Sequence, residues 1–288
     1  MLLYFEDERA PARRVARACG LAAAVIRTHR FPDGELRITL PPRLPRRVVI
    51  YRSLDRPNEK LVALLLSAQG ARELGAVTLV LVAPYLAYMR QDHAFAPGEV
   101  VSQRHVGLLL ASLVDRVVTV DPHLHRTADL GDVLPGCEAM ALTAAPLVGR
   151  YIARRARRAL LVGPDEESAQ WVSAAAAAAG LDWAVCRKTR RGDRAVRVEL
   201  PEHAVAGRHV VLVDDIASTG RTLAEAARVL RAAGAARIDV VVTHAVFADG
   251  APAVLQAAGV TSVSSTDSIA HPTSAIRLAS LLAAAVRR

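Results

Sequence analysis

Between residues 208 and 222 an apolar run meets two carboxylates and a short polar turn, RHVVLVDDIASTGRT. Asp214 and Asp215 supply a dense set of acceptors, suited to the paired hydroxyls of a ribose or to a metal bound to them. Ser218, Thr219, Gly220 and Thr222 then lead into a helix pattern. Backbone N–H groups at a helix start, joined by hydroxyls, favour a phosphate dianion, and glycine lets the backbone come close. The same residues also suit a plain helix N-cap behind solvated acids. Two acids after a buried strand are costly without partners, however.

Four other segments carry chemistry. VVTVDPHLHR (117–126) ends a strand pattern in Asp121 with His123 and His125 close by, a set able to ligate a divalent ion. Magnesium prefers oxygen and keeps waters, so one histidine would be an unusual ligand among phosphate oxygens. APYLAYMRQDHAF (83–95) places Arg90 where its guanidinium fork can pair with phosphate oxygens. CRKTRRGDRAVRV (186–198) is a basic loop or solvated hairpin holding Lys188, Arg190, Arg191 and Arg194. RFPDGELRITLP (30–41) is a turn entering an alternating strand, with Phe31, Asp33 and Glu35 at the turn.

The elements that must position these groups follow from hydrophobic period. RRVVIY (46–51), a helix over 58–75 and AVTLVLVAPY (76–85) make a βαβ unit; RHVVLVDD (208–215), a helix near 222–235 and ARIDVVVTHAVF (236–247) repeat it. A Gly-Ala pair closes the helix in both copies, Gly75-Ala76 and Gly234-Ala235. Continuous Val/Leu runs imply strands covered on both faces, hence a parallel sheet between helices. The reading is α/β, in two similar domains with a boundary near residue 145: 1–145 and 146–288. Residues 174–180, AAAAAAG, read as a tight helix ending in glycine. Polar stretches at 90–103 and 187–195 read as functional loops.

Across 288 residues, 52% are hydrophobic, 23% charged and 4% aromatic, as expected of a soluble globular chain with an aliphatic core. Lys and Arg number 37 against 28 acids, a formal +9. That excess fits phosphorylated small molecules; basic segments interleaved with aromatic rings are missing, so nucleic acid is not expected as a partner. Three widely spaced cysteines, Cys19, Cys137 and Cys186, suggest no disulfide framework and a reducing cytoplasm. No apolar run is long enough to span a bilayer, and no membrane association is expected.

With its loop at 214–222 and the segments above, the chain resembles the ribose-phosphate pyrophosphokinase family, in its shorter archaeal-like form, over nearly its whole length. The resemblance implies tandem duplicated phosphoribosyltransferase-like domains, each a mostly parallel sheet flanked by helices. It implies diphosphate transfer from Mg-ATP to the 1-hydroxyl of ribose 5-phosphate. Asp165, Asp214, Asp215, Ser218, Thr219, Gly220 and Thr222 would then hold ribose 5-phosphate. Phe31, Asp33 and Glu35 would line the ATP pocket of a neighbouring subunit in a homo-oligomer, with Arg90 and Gln91 on the same nucleotide. His123, chosen over His125, and Asp165 would serve Mg²⁺, and Lys188 and Arg190 would close over the transferring group. LLVGPDEESAQW (160–171) departs from the family's Pro-Asp-x-Gly-Gly: Glu167 and Ser168 stand in place of two glycines that let amides cradle pyrophosphate. That departure leaves open a paralogue acting on another pentose phosphate. A phosphoribosyltransferase and a non-catalytic regulatory homologue are further alternatives.

Overall fold

In unit 1, β1 (Leu2–Phe5) leads through a short 3₁₀ turn into α1 (Arg9–Cys19), β2 (Ala23–Arg30) and β3 (Leu36–Thr39). Then come β4 (Arg47–Tyr51), α2 (Pro57–Glu73), β5 (Thr78–Ala83), α3 (Ser102–Leu113), β6 (Arg116–Val120), α4 (Leu130–Val133) and β7 (Glu138–Leu142). Unit 2 begins with α5 (Ala145–Arg155), β8 (Leu160–Gly163), α6 (Ala169–Ala179), β9 (Trp183–Val185), β10 (Arg187–Arg191) and β11 (Ala195–Glu199). It continues through β12 (His209–Ala217), α7 (Arg221–Ala232), β13 (Arg237–Ala245), α8 (Ala251–Ala257), β14 (Ser262–Thr266) and β15 (Ser274–Ile276). The computed structural model describes residues 1–124, 127–191, 195–199 and 205–287, and of 187–191 and 195–199 the backbone alone.

The chain returns to unit 1 at its far end. Unit 1 comprises Met1–Leu142, Ser268–Ala270 and Arg277–Arg288, and unit 2 comprises Thr143–Asp267 and His271–Ile276. Helix α9 (Ala279–Val286) packs on α1 and on the β5–β7 part of the first sheet, burying Leu282, Ala283, Ala285 and Val286. Arg47 donates to the Val286 carbonyl at 2.7 Å. So apolar a helix needs a sheet face to cover. A single cut near residue 145 therefore describes neither unit completely.

Both sheets repeat one topology. Apart from β3, unit 1 runs β2-β1-β4-β5-β6-β7 and unit 2 runs β9-β8-β12-β13-β14-β15, every neighbouring pair parallel. A hairpin strand follows the second strand in each: β3 turns back antiparallel on β2, and β10 pairs antiparallel with β11. Central strands are buried, β8 throughout and β5 after its first residue, as parallel strands covered by helices on both faces must be. In unit 2 two apolar clusters line the sheet, one with Leu212, Val240 and Leu230, the other with Leu161, Val211 and Val172. Gly75 (φ 96°) and Gly234 (φ 88°) end α2 and α7 in the left-handed conformation, as the repeated Gly-Ala pairs predict.

In such sheets the direction of winding reverses between two neighbouring strands, and the crevice at their carboxyl ends is where ligands bind. That point lies between β8 and β12 in unit 2 and between β1 and β4 in unit 1.

Candidate active site

At the β8/β12 reversal of unit 2, three carboxylates converge. Asp165 stands two residues after β8, and Asp214 and Asp215 lie within β12, whose pairing with β13 continues to Ala217. Asp215 is 2% exposed, and Asp214 and Asp165 are half-buried. Burial, then the negative charge of Asp215 and of Asp165, holds the Asp214 carboxyl well above the usual carboxylate range. The Asp215 N–H donates to Asp214 Oδ1 at 3.0 Å, and the Ile216 N–H to Asp215 Oδ1 at 2.8 Å, which fixes both rotamers. Clustered carboxylates of this kind suit hydroxyl donors and a hard divalent cation.

Beyond the acids, Ser218 and Thr219 lead to Gly220, which adopts φ 71° and N-caps α7. A side chain there would be strained, and its Cβ would stand 3.3 Å from Leu255 Cγ and 3.4 Å from the Ala251 carbonyl. Thr219 Oγ1 accepts weakly from the Arg221 N–H at 3.4 Å. Ser218 and Thr222 are half-buried and Thr219 is exposed, so hydroxyls and the helix start sit together next to the acid trio.

The Glu167-Ser168 departure has a structural explanation on one side. Ser168 is fully buried, and its hydroxyl donates to the Asp165 carbonyl at 2.5 Å while lying 3.5 Å from the Asp165 nitrogen. Gly163 makes room for it: a Cβ at Gly163 would fall 2.2 Å from Ser168 Oγ. Residues 166–168 thus form a closed 3₁₀ turn behind Asp165, and Glu166 and Glu167 are exposed.

The unit 1 residues are held by their own scaffolding. Gln91 Oε1 accepts from the N–H of Ser102, the first residue of α3, at 2.5 Å, and the Gln91 carbonyl accepts from Gln103 N–H at 3.2 Å. Gln91 is therefore engaged as a cap of α3, and its neighbour Arg90 is exposed. His123 follows a turn made by buried Asp121, which takes φ 38° and donates its N–H to the Leu142 carbonyl at 2.8 Å. His125 lies outside the described residues. Phe31, Asp33 and Glu35 form the β2–β3 turn: the Phe31 N–H donates to the Glu35 carbonyl at 2.9 Å, and the Glu35 N–H to Asp33 Oδ1 at 3.1 Å. Phe31 is exposed and packs edge-on against His29.

Lys188 and Arg190 lie on β10, opposite Val198 and Val196 of β11; their side chains, like Arg191's and all of Arg194, lie outside the described residues. The backbone of 187–191 is a strand of a hairpin, where an irregular loop is the other sequence expectation.

One cluster escapes motif reading. At the β1/β4 reversal of unit 1, Glu8 is 4% exposed and Arg52 7%. Arg52 Nη1 donates to Asp7 Oδ1 at 2.7 Å and to Glu8 Oε2 at 3.1 Å, and the Ser53 N–H donates to Glu8 Oε1 at 2.7 Å. Burial raises the Glu8 carboxyl from its ordinary 4.5 to about 7, against the opposing pull of Arg52 and Lys60. The signal was in the repeat: RRVVIYRS aligned on RHVVLVDD puts Arg52-Ser53 in the places of Asp214-Asp215.

Among the described residues, no group of three His, Cys, Asp or Glu is spaced to hold a metal unaided. A magnesium ion here fits only with substrate oxygens and water completing its shell, which is its usual habit. No helix is long and apolar enough to cross a membrane among those residues.

Comparison with known proteins places this geometry in a family. Residues 1–113 match the model for the N-terminal domain of ribose phosphate pyrophosphokinase, and residues 141–275 the phosphoribosyl transferase domain. The chain is 36% identical over 277 residues to a ribose-phosphate pyrophosphokinase of Methanopyrus kandleri, covering 95% of this chain and 94% of that one. It is 37% identical over 272 residues to ribose-phosphate pyrophosphokinase 2 of Archaeoglobus fulgidus, covering 94% of each. The crystal structure of phosphoribosylpyrophosphate synthetase from Mycobacterium smegmatis superposes with a TM-score of 0.84 at 26% identity, covering 100% of this chain and 97% of that one.

Proposed function

The chain belongs to the ribose phosphate pyrophosphokinase family, and from that premise we propose that it transfers a diphosphoryl group from Mg-ATP to ribose 5-phosphate, giving phosphoribosyl pyrophosphate and AMP. The observation that carries this reading is the trio of Asp165, Asp214 and Asp215, the last of them buried, beside the Ser218–Thr222 helix start. Acceptors for pentose hydroxyls and donors for its 5-phosphate stand side by side there.

The sugar's 1-hydroxyl oxygen forms a bond to the β-phosphorus of ATP. The bond from that phosphorus to the α,β-bridging oxygen breaks, the bridging oxygen leaves on AMP, and the hydroxyl proton passes to solvent. No covalent enzyme intermediate is required, so the protein's work is positioning and charge neutralisation. We assign Asp214 and Asp215 to the sugar hydroxyls, and Ser218, Thr219, Gly220 and Thr222 to the 5-phosphate. Arg90 and Gln91 are assigned to ATP, with Phe31, Asp33 and Glu35 completing the nucleotide site of a neighbouring copy in a homo-oligomer. Lys188 and Arg190 offset charge as the diphosphoryl group transfers.

His123 and Asp165 are the residues assigned to Mg²⁺, which when bound neutralises phosphate charge. Three cysteines outside any disulfide and the nucleotide substrate suit a cytoplasmic setting.

Phosphorus NMR of the protein with ribose 5-phosphate, ATP and Mg²⁺ tests the reading. AMP with a sugar diphosphate is expected; ADP with a pentose bisphosphate, in which one phosphoryl group has been added to the 1-hydroxyl, or no reaction, would overturn it. Replacing ribose 5-phosphate by other pentose phosphates in the same assay tests whether the exposed Glu166-Glu167 pair beside Asp165 has altered sugar choice.

A further inference from the structure

Because unit 1 repeats the topology of unit 2, it has its own crevice at a winding reversal, between β1 and β4. A cleft of about 700 Å³ opens there, lined by Arg9, Arg27, Arg30, Arg52, Arg56 and Lys60 among its cations and by Glu6, Asp7 and Glu59 among its acids. Six cations thus face three carboxylates on the walls. The acids are committed: Glu6 pairs with Arg9 at 2.9 Å, Glu59 with Arg30 at 2.7 Å, and Asp7 with Arg52. Lys60 is paired with Asp55. Arg27 and Arg56 have no carboxylate partner among the described residues.

Arg52 is the centre of the arrangement. Its guanidinium lies 4.0 Å from the centroid of the Phe5 ring, and both of its carboxylate partners sit on Nη1. The other edge is different: Nε is buried and has no hydrogen-bond partner. A guanidinium edge of Nε–H and Nη2–H is the fork that matches two oxygens of a phosphate or carboxylate. A buried donor left without an acceptor is costly, so such a group in a cleft wall calls for a ligand.

We infer that the β1/β4 cleft of unit 1 is a second anion site, taking the phosphate group of a small molecule on the free edge of Arg52 with Arg27 and Arg56 beside it. The duplicated fold has kept its ligand crevice in both units and reversed its charge: acids where unit 2 holds a sugar, a fork where unit 1 holds a phosphate. The site stands on unit 1 alone, so it is independent of the diphosphotransfer reading, and each can fail without the other.

Hydrogen–deuterium exchange on the full chain, titrated with inorganic phosphate, tests it. Peptides covering residues 5–9 and 52–56 report the new site, and those covering 214–222 report the sugar-phosphate loop. Both sets are expected to slow in the wild type. In Arg27→Ala/Arg56→Ala, and separately in Arg52→Lys, which keeps a counter-charge for Glu8 but loses the fork, the midpoint at 5–9 and 52–56 is expected to rise about tenfold or more with 214–222 unmoved. The inference is overturned if phosphate slows 214–222 alone in the wild type, or if neither substitution moves the first midpoint. Repeating the titration with adenosine monophosphate separates the sources: a lower midpoint than inorganic phosphate assigns the site to a phosphate ester, an equal one to the free anion, and either supports the site.

Discussion

Replacing Glu8 by Gln removes the one buried charge of the β1/β4 cluster whose protonation crosses neutrality. Glu8 faces the Arg52 guanidinium, the Lys60 ammonium, the Ser53 N–H and the Asp7 carboxylate. In the unfolded chain it loses its proton near 4.5 and in the folded chain at about 7. Between those values the folded chain binds more protons than the unfolded one, so the contribution of Glu8 to stability falls as pH rises and is fully lost above pH 7. At about 1.4 kcal/mol per tenfold change in proton affinity, the interval corresponds to roughly 3 kcal/mol. A glutamine still accepts from Ser53 and does not titrate, and Asp7 still neutralises Arg52. Native-state hydrogen exchange at the buried amides of β1 and β4 measures the unit 1 opening free energy between pH 4.5 and 8. Wild type should lose about 3 kcal/mol more than Glu8→Gln across that range. The only tryptophans, Trp171 and Trp183, belong to unit 2, so their fluorescence during urea unfolding serves as a control that should not distinguish the two proteins. Parallel pH profiles at β1 and β4 would refute the reasoning.

Three further outcomes are expected. If Lys188 offsets charge during diphosphoryl transfer as proposed, Lys188→Ala should lower kcat by roughly 10²–10³-fold with little change in the KM for ribose 5-phosphate, measured by steady-state AMP release. Gly220→Ala should cost unit 2 about 1–2 kcal/mol in tryptophan-monitored urea unfolding and raise the KM for ribose 5-phosphate, because φ 71° is strained for alanine and the helix start must shift. Ser168→Gly, which restores one glycine of the family pattern, should destabilise unit 2 by about 1 kcal/mol in the same unfolding assay, since it removes the hydroxyl bridging to the Asp165 carbonyl.

What could be read from the sequence was what local pattern encodes. Strands doubly covered by helices leave unbroken Val and Leu runs, so β4, β5, β12 and β13 stood out, and the paired Gly-Ala closures exposed the repeat. Roles set by tertiary contact were hidden. Ser168 looks like a lost glycine until its burial against Gly163 is seen. Gln91 also has a structural role that no motif shows, its amide oxygen accepting from the first N–H of α3. Arg52 and Glu8 are 44 residues apart and carry no motif, and only the sheet brings them together. The extent of unit 1 likewise includes the return of residues 277–288, which no local period announces.

That return has a consequence for how the chain is made. Helix α9 covers part of the first sheet but leaves the ribosome after all of unit 2. At typical synthesis rates the nascent N-terminal sheet waits on the order of ten seconds with the apolar surface meant for α9 open to solvent. Unit 2 matures inside this interval as an insertion into an unfinished neighbour. A fragment ending at Leu142 would keep that surface bare indefinitely and should aggregate where the whole chain does not.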